Sequence, residues 1–564
     1  MNERQERCLI ISDFNISNLA GYLSHDSDLP AVNAEAALYG QVMRILMSED
    51  LTCWQRNPDV VVIWTRPQGV IESFKRVLNY QAVPTDEVLE QVDEYGSAII
   101  AMSDRVDCAF VPTWVLPPYY RGFGMLDMKN ELGVANLLMR MNLRLADNLE
   151  PAANVHLLDA RKWVETAGKN AFNPKAWYLG KIPFGNGVFK EAVADIKASL
   201  RGVRGNAKKL IVVDLDETLW GGIVGDIGWE NLKLGGHDHV GEAYVDFQRA
   251  LKSLTNRGIL LGIVSKNEES VALEAIESHP EMALTLEDFA GWKINWGDKA
   301  QNIVDLTSEL NLGVQSVVFI DDNPVERARV REALPNVFVP EWPQDRTLYK
   351  KTLLSLRCFD APHMSHEDQE RTKMYVSERQ RADLRKEVGS LDEWLMTLGI
   401  VARIEELNGS NLPRTTQLLN KTNQMNLSTR RMTESELTAW VDQQDRKLWT
   451  FRVSDKLGDS GLTGIISVEL EDGRAKIVDF VLSCRVMGRK VEETMLSTAV
   501  KHARSKGVDE VYAQYVATPK NRPCFEFWKR SGFVQDESDN TFHWQTTSDY
   551  PVPEQITIEG GDFV

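Results

Sequence analysis

The chain has 564 residues, a formal net charge of −18, and 43% hydrophobic against 26% charged residues, an ordinary composition for globular protein. That length exceeds what one core supports and leads to an expectation of roughly three or four domains. The acidic balance argues against general nucleic-acid binding, because a phosphate backbone would be repelled. No apolar run approaches the ~20 residues of a membrane helix and no secretory signal is legible at the start, so the expected location is cytoplasmic, with no membrane partner. Six Cys, at 8, 53, 108, 358, 484 and 524, form no CxxC pair and no metal spacing, which suits reduced thiols.

Residues 1–200 alternate short apolar runs (RCLIISD, DVVVIWT, DCAFVPT) with helical stretches, the pattern of a wound parallel sheet. Ser12 follows the first strand much as the nucleophile does in SGNH hydrolases. However, Asp13, Phe14 and Asn15 do not continue a Gly-Asp-Ser block, and His156 lacks the neighbours of a catalytic Asp-x-x-His. An SGNH-like domain without hydrolase function, serving docking or architecture, is therefore expected. A Gly-rich bridge beginning WYLGKIPFGNG follows, with a helix expected over about 189–200.

The central domain, expected over 201–365, opens on LIVVDLDETLWGG at 210–222. Residues two apart on a strand point the same way, so Asp214 and Asp216 are expected to present two carboxylates together at the strand's end. Paired carboxylates there suit a hard divalent cation and phosphoryl chemistry. ILLGIVS ends in Ser265, Lys299 opens a stretch of helical spacing, and SVVFIDDNP delivers Asp321 and Asp322, with Pro324 starting the next helix. A wound sheet gathers these residues into one crevice. The order DxDxT, Ser, Lys, Asp-Asp resembles the haloacid dehalogenase superfamily of phosphotransferases. The resemblance implies Asp214 as nucleophile and Asp216 as general acid and base. It implies Thr218, Ser265, Lys266 and Lys299 as phosphate ligands. Mg2+ would be held by Asp214, Asp321, Asp322 and the backbone carbonyl of Asp216. Lys293 is expected to be a solvated lysine.

Pro335, Pro340 and Pro343 interrupt regular structure after the central strands. A charged helical linker is expected over 366–390, a third domain over 391–550, and an acidic tail over 551–564. The runs LWTFRVSD, GLTGIISVEL and AKIVDFVLSC read as an antiparallel meander, followed by a helix, a strand and a short helix. This order resembles the GNAT acyltransferases, whose pyrophosphate loop aligns with residues 485–490, including Arg485 and Gly488. Lys490 departs from the Gly or Ala that lets a helix start approach phosphate. Cys484 stands where strand gives way to helix; the neighbouring Arg485 and helix N-terminus both favour a reactive thiolate. Against that stands a plain structural role as a small apolar residue.

WYLGKIPFG, VVDLDETLWGGIVGD, GIVSKN, VVFIDDNP, KTNQMNLSTRR, LSCRVMGR and KNRPCFEFWKRSGF together resemble the FkbH-like family. Glu217 replaces the Asn usual in that family's DLDNTLWGG, and little effect is expected because the side chain should face away from the carboxylates. The resemblance implies loading of a glyceryl unit from 1,3-bisphosphoglycerate onto the phosphopantetheine thiol of an acyl carrier protein, with dephosphorylation, for polyketide extender or tetronate units. Cys484 would relay the acyl group, with Cys524 as a competing thiol. Asn423, Asn426 and Arg430 would bind substrate or carrier, or else form solvated surface, and Arg485 and Gly488 would join them in that binding. Three readings stay open: this bifunctional enzyme, a plain Mg2+-dependent phosphatase of a small metabolite, and a non-catalytic carrier-docking factor.

Overall fold

A computed structural model describes residues 5–236, 238–362, 370–536 and 538–560. The architecture is mixed α/β with parallel sheets, and the chain divides into two compact units: Met1–Lys209 with Lys351–Met364, and Leu210–Lys350 with Ser365–Val564.

In the first unit β1 (Glu6–Ile11), β2 (Val32–Ala36), β3 (Val60–Ile63), β4 (Cys108–Pro112) and β5 (Val155–Leu158) form a sheet of order β2-β1-β3-β4-β5. Every pairing is parallel. Alternate residues of β1 and β3 feed opposite faces: Leu9, Ile11, Val61 and Ile63 enter one core, and Cys8, Ile10, Val60 and Val62 the other. This two-sided burial is why the strands read as unbroken apolar runs. The helix expected over 189–200 spans Asn186–Val203 and contributes Val188, Phe189 and Ile196 to the second of these cores. The unit runs to Lys209, and the chain returns to it after Lys350, where the Lys208 amide donates to the Cys358 carbonyl at 2.7 Å.

The second unit begins with a four-stranded sheet: β6 (Leu210–Val213), β7 (Leu260–Ser265), β8 (Phe289–Ile294) and β9 (Val317–Ile320), in the order β8-β7-β6-β9. All pairs are parallel, so the carboxyl ends of β6, β7 and β9 open on one side. Gly258, at φ 78°, ends the crossover helix His239–Thr255 and turns the chain into β7.

The charged stretch expected as a linker forms the helix Arg371–Glu387; residues 363–369 lie outside the described residues. It lies against β8, where Arg379 donates to the Phe289 carbonyl at 2.9 Å and stacks on Trp292 at 4.2 Å. The remaining strands are β10 (Ile400–Glu406), β11 (Met425–Asn426), β12 (Arg446–Asp455), β13 (Gly458–Glu471), β14 (Arg474–Leu482), β15 (Glu510–Gln514), β16 (Val534–Asp536), β17 (Thr541–Gln545) and β18 (Ile556–Glu559). They make one nine-stranded sheet in which β12, β13 and β14 form the expected antiparallel meander. The tail differs from expectation. β18 pairs in parallel with β10, matching Ile400 with Ile556 and Ala402 with Ile558, so two alternating isoleucines tie down a segment whose acidity suggests a free end. Among the described residues no helix is long and apolar enough to cross a membrane.

Candidate active site

The carboxyl ends of β6 and β9 lie side by side because the two strands are neighbours, and the Asp214 amide extends their ladder by donating to the Ile320 carbonyl at 3.0 Å. Asp214 therefore faces Asp321, the residue after β9. One oxygen from each of Asp214, Asp321 and Asp322 lies within 4.8 Å of the others. Lys299, buried at the first position of the helix Lys299–Glu309, places Nζ 2.6 Å from Asp321 Oδ2 and 3.0 Å from Asp214 Oδ1. The second contact is an ion pair out of hydrogen-bond alignment, which leaves the buried Asp214 Oδ1 without a hydrogen bond. One ammonium against three carboxylates leaves net negative charge in a buried place. An unsatisfied carboxylate oxygen in an all-oxygen donor set fits a hard divalent cation such as Mg2+.

Burial, and then the Asp214 charge, push the Asp321 carboxyl up to about 7, against the opposing pull of Lys299. Burial and Asp214 likewise raise Asp322. Burial alone would lower the Lys299 ammonium, but Asp214 and Asp321 outweigh it and the net direction is upward. Thr218 Oγ1 accepts from the Asp322 amide at 3.1 Å, and Arg327 Nη1 donates to the carbonyls of Asp321 and Asp322 at 2.8 and 2.7 Å. These bonds fix the backbone that carries the cluster.

Asp214 and Asp216 do not share a strand as expected, since β6 ends at Val213. Glu217 adopts a left-handed φ of 57° and the chain turns there. The Asp216 carboxylate is held by other groups: Oδ1 accepts from Trp220 Nε1 at 2.8 Å and the Val224 amide at 3.1 Å, and Oδ2 from Asn267 Nδ2 at 2.8 Å. Burial raises its pKa, with the three donors opposing and the Asp214 charge adding to the rise. Glu217 is also more than a bystander. Its Oε1 accepts from the Gly222 amide at 2.7 Å, its Oε2 from Arg346 at 2.9 Å, and its carbonyl from the hydroxyls of Tyr244 and Tyr349 at 3.2 Å each. Arg346 also comes within 3.8 Å of Asp322.

Ser265 is buried at the end of β7, the strand beside β6. Lys266 points elsewhere: Nζ pairs with Glu326 at 2.7 Å. Lys293 pairs with Glu309 at 2.5 Å. Asn267, Arg327 and Arg346 are the site residues that sequence reasoning passes over. Asn267 had a signal, standing two residues beyond Ser265, whereas Arg346 lies 129 positions from its partner Glu217 and had none.

In the part of the second unit that holds the nine-stranded sheet, Cys484 is exposed two residues after β14, and its Sγ accepts from Asn311 Nδ2 at 3.0 Å. Cys524 is fully buried, and burial pushes its thiol up to about 12. The loop of residues 485–490 closes on the protein itself. The Gly488 amide donates to Glu492 Oε1 at 2.7 Å, buried Arg489 reaches Glu378 at 2.5 Å, and Arg485 reaches Met374 Sδ at 2.9 Å. An incoming phosphate would meet a carboxylate where it needs an amide donor. Of Asn423, Asn426 and Arg430, all expected to bind substrate or carrier, two have internal roles. Asn426 is fully buried, accepting from the Thr429 amide at 2.8 Å and donating to the Thr422 carbonyl at 3.0 Å. Arg430 reaches buried Asp479 at 2.5 Å. Asn423 is exposed and accepts from Arg431 at 2.7 Å. Dense polarity in that segment thus reflects a hydrogen-bonded turn.

The class defined by fold and site is a wound parallel-sheet domain with a cation-ready acidic crevice at its strand ends. No family model and no curated protein matches the sequence. Among solved structures, the chain is similar to the N-terminal part of protein BF1531 from Bacteroides fragilis, described as containing a phosphatase domain complexed with Mg. The identity is 28%, the match covers 64% of this chain and 95% of that one, and the TM-score is 0.57. A GNAT-family acetyltransferase from Staphylococcus aureus also aligns, at 10% identity over 26% of this chain and 99% of that one, with a TM-score of 0.21.

Proposed function

We propose that the protein is a Mg2+-dependent phosphatase of the haloacid dehalogenase type coupled to acyl transfer, loading a glyceryl unit from 1,3-bisphosphoglycerate onto the phosphopantetheine thiol of an acyl carrier protein. The observation that carries the phosphatase half is the gathering of Asp214, Asp321 and Asp322 around buried Lys299, with Asp214 Oδ1 left without a hydrogen bond. The Mg-bound phosphatase domain of the Bacteroides protein supports the same choice of cation. Held by these carboxylates, Mg2+ would neutralise charge on the phosphoryl oxygens. The Asp214 carboxylate attacks phosphorus, and the bond from phosphorus to the ester oxygen breaks as the aspartyl phosphate forms. Asp216 gives its proton to that leaving oxygen. It then takes a proton from the water that releases phosphate from Asp214. A carboxyl whose pKa burial has raised is suited to hold a proton for this step. Lys299 steadies the nucleophile and the phosphoryl charge.

In the acyl half, Cys484 Sγ attacks the acyl carbon of the acyl phosphate. The carbon–oxygen bond breaks, phosphate leaves with the electron pair, and the thiol proton passes to solvent. The carrier thiol then attacks the thioester and frees Cys484. Exposure of Cys484 against the burial of Cys524 supports this assignment, and the closed Gly488 loop is compatible with a domain that does not bind CoA in the usual manner. The first domain we read as an SGNH-like scaffold without hydrolysis, since Ser12 is buried and its Oγ accepts from the Phe14 amide at 3.2 Å. Product thioesters would enter polyketide extender or tetronate synthesis.

Incubation with 1,3-bisphosphoglycerate, Mg2+ and holo acyl carrier protein, followed by intact mass measurement, tests the reading. A dephosphorylated glyceryl adduct on the carrier is expected, lost with Cys484→Ala. Phosphate release with no adduct would reduce the function to a phosphatase, and loading that survives Cys484→Ala would remove Cys484 as the relay.

A further inference from the structure

One motif the chemistry leaves unused is WYLGKIPFG. Residues 168–185 form a closed excursion within the first unit. Phe172 bridges Phe184, the Asn173 amide donates to the Pro183 carbonyl at 2.9 Å, and the Gly185 amide to the Ala171 carbonyl at 2.9 Å. The tip is the short helix Pro174–Gly180, started by Pro174 and by Asn173, whose side chain accepts from the Ala176 amide at 3.0 Å. The helix is moored at the carboxyl ends of β1 and β3. Arg66 stacks on Trp177 at 4.0 Å, and the Asn15 amide donates to the Lys181 carbonyl at 3.0 Å.

This element turns Trp177 onto the core but leaves its next two apolar side chains outward: Tyr178 is 80% exposed and Leu179 79%. Nothing in the fold gains from that, since burying a Leu is worth roughly 1.5–3 kcal/mol. The same segment carries Lys169, Lys175 and Lys181, all exposed and in no ion pair with the described residues, with the Lys181 ammonium over the Trp177 ring at 5.1 Å. In a chain with 82 acidic residues, positions 166–190 contain Lys169, Lys175, Lys181 and Lys190 and no Asp or Glu. The result is a basic, partly apolar stretch, flanked by Glu165 and Glu191, on an acidic protein, a combination that favours an occupant of opposite charge. A second copy of the chain would set these lysines against themselves across a two-fold contact.

We infer that this helical tip is the docking surface for the acyl carrier protein, met by a carrier helix whose apolar residues lie between carboxylates. The inference rests on the acyl-loading reading for the identity of the partner. Its test is the binding of fluorescently labelled holo acyl carrier protein to the intact protein by anisotropy, at low and at high salt. Lys169→Glu combined with Lys175→Glu and Lys181→Glu is expected to weaken binding roughly tenfold or more and to flatten its salt dependence. Tyr178→Ala with Leu179→Ala is expected to weaken it by a similar factor. Phosphate release from a small ester and formation of the glyceryl-enzyme adduct should be unchanged in both. Carrier affinity equal to wild type in both variants overturns the inference, as does wild-type protein that binds anionic vesicles or itself through this tip and not the carrier. Binding through the tip without any glyceryl adduct would retain the docking surface and sink the acyl-loading reading. Loading that both variants carry out with wild-type carrier affinity would do the reverse.

Discussion

Two places in the second unit where a strand ends and a loop begins have opposite chemistry. Beyond β6 and β9, three carboxylates converge within 4.8 Å and a buried oxygen of Asp214 has no hydrogen bond. Beyond β14, the Gly488 amide that leads into the helix Val491–Ser505 is taken by Glu492. Placement at the carboxyl end of a strand therefore does not make a ligand site. What separates the two is that three carboxylates converge at the first around one ammonium, whereas a single carboxyl takes the backbone amide at the second. The central crevice is electrostatically unfinished without a cation, and the Gly488 loop has turned inward.

The sharpest way to break that contrast is Asp214→Asn. It removes the nucleophile, so phosphate release from a small ester should fall roughly a thousandfold or more. The same change relieves like-charge crowding, so the metal-free variant should melt above metal-free wild type. Mg2+ should raise the melting temperature of wild type and barely move the variant. A variant that retained both turnover and the Mg2+ response would remove the crevice from the chemistry. Asp216→Asn should cost about 10²–10⁴-fold on esters with poor leaving groups and much less on nitrophenyl esters, whose leaving oxygen needs no proton. Equal losses on both would show that Asp216 does not act as the general acid.

The crevice was readable because apolar runs fix which residues end each strand. A parallel sheet then brings Asp214, Lys299 and Asp321 together, and sets Ser265 at the end of the neighbouring strand, without any knowledge of side-chain packing. Legibility stopped where a single dihedral decides. The left-handed Glu217 ends the alternation that would pair Asp214 with Asp216 on one face. The pairing of Lys266 with Glu326 was unreadable because the two lie sixty positions apart. Asn426 and Arg430 show another limit, because a polar residue satisfied by a buried turn looks in sequence like one facing solvent. The meander of β12 to β14 announced itself by alternation, whereas β18 is four residues long and close to prolines that mark a loop.

The closed loop makes its own prediction, of smaller size. Glu492 is buried, its Oε2 has no partner, and burial pushes its carboxyl from the ordinary 4.5 up to about 7 despite the Gly488 amide. The folded protein thus holds this proton more tightly than the unfolded chain. Its contribution to stability is complete below about pH 4.5 and is lost as pH rises through about 7. Glu492→Gln should remove that component, leaving the variant about 2–3 kcal/mol less sensitive to pH across the window in urea unfolding. An unchanged pH profile would mean that Glu492 is ionised in the fold, and that the loop is held by a full charge.

The smallest effect tests the turn that sequence alone misjudged. Glu217→Asn restores the residue expected there and suits the left-handed φ, which Asn tolerates better than Glu. It also shortens the side chain away from Arg346 and the Gly222 amide. The Arg346 pair is part exposed and worth at most ~1 kcal/mol, and the amide bond about 1 kcal/mol, so the easier backbone offsets only part of the loss. A net destabilisation of about 1 kcal/mol is expected, and about 2 kcal/mol for Glu217→Ala, which gains less from the dihedral. Freed from Glu217, Arg346 has Asp322 as its nearest acid at 3.8 Å, so both variants should bind Mg2+ a few-fold more weakly. Adding Arg346→Ala should restore the cation's affinity without restoring stability. If Mg2+ affinity is instead indifferent to Glu217, the residue holds only the turn, and Arg346 is not linked to the crevice.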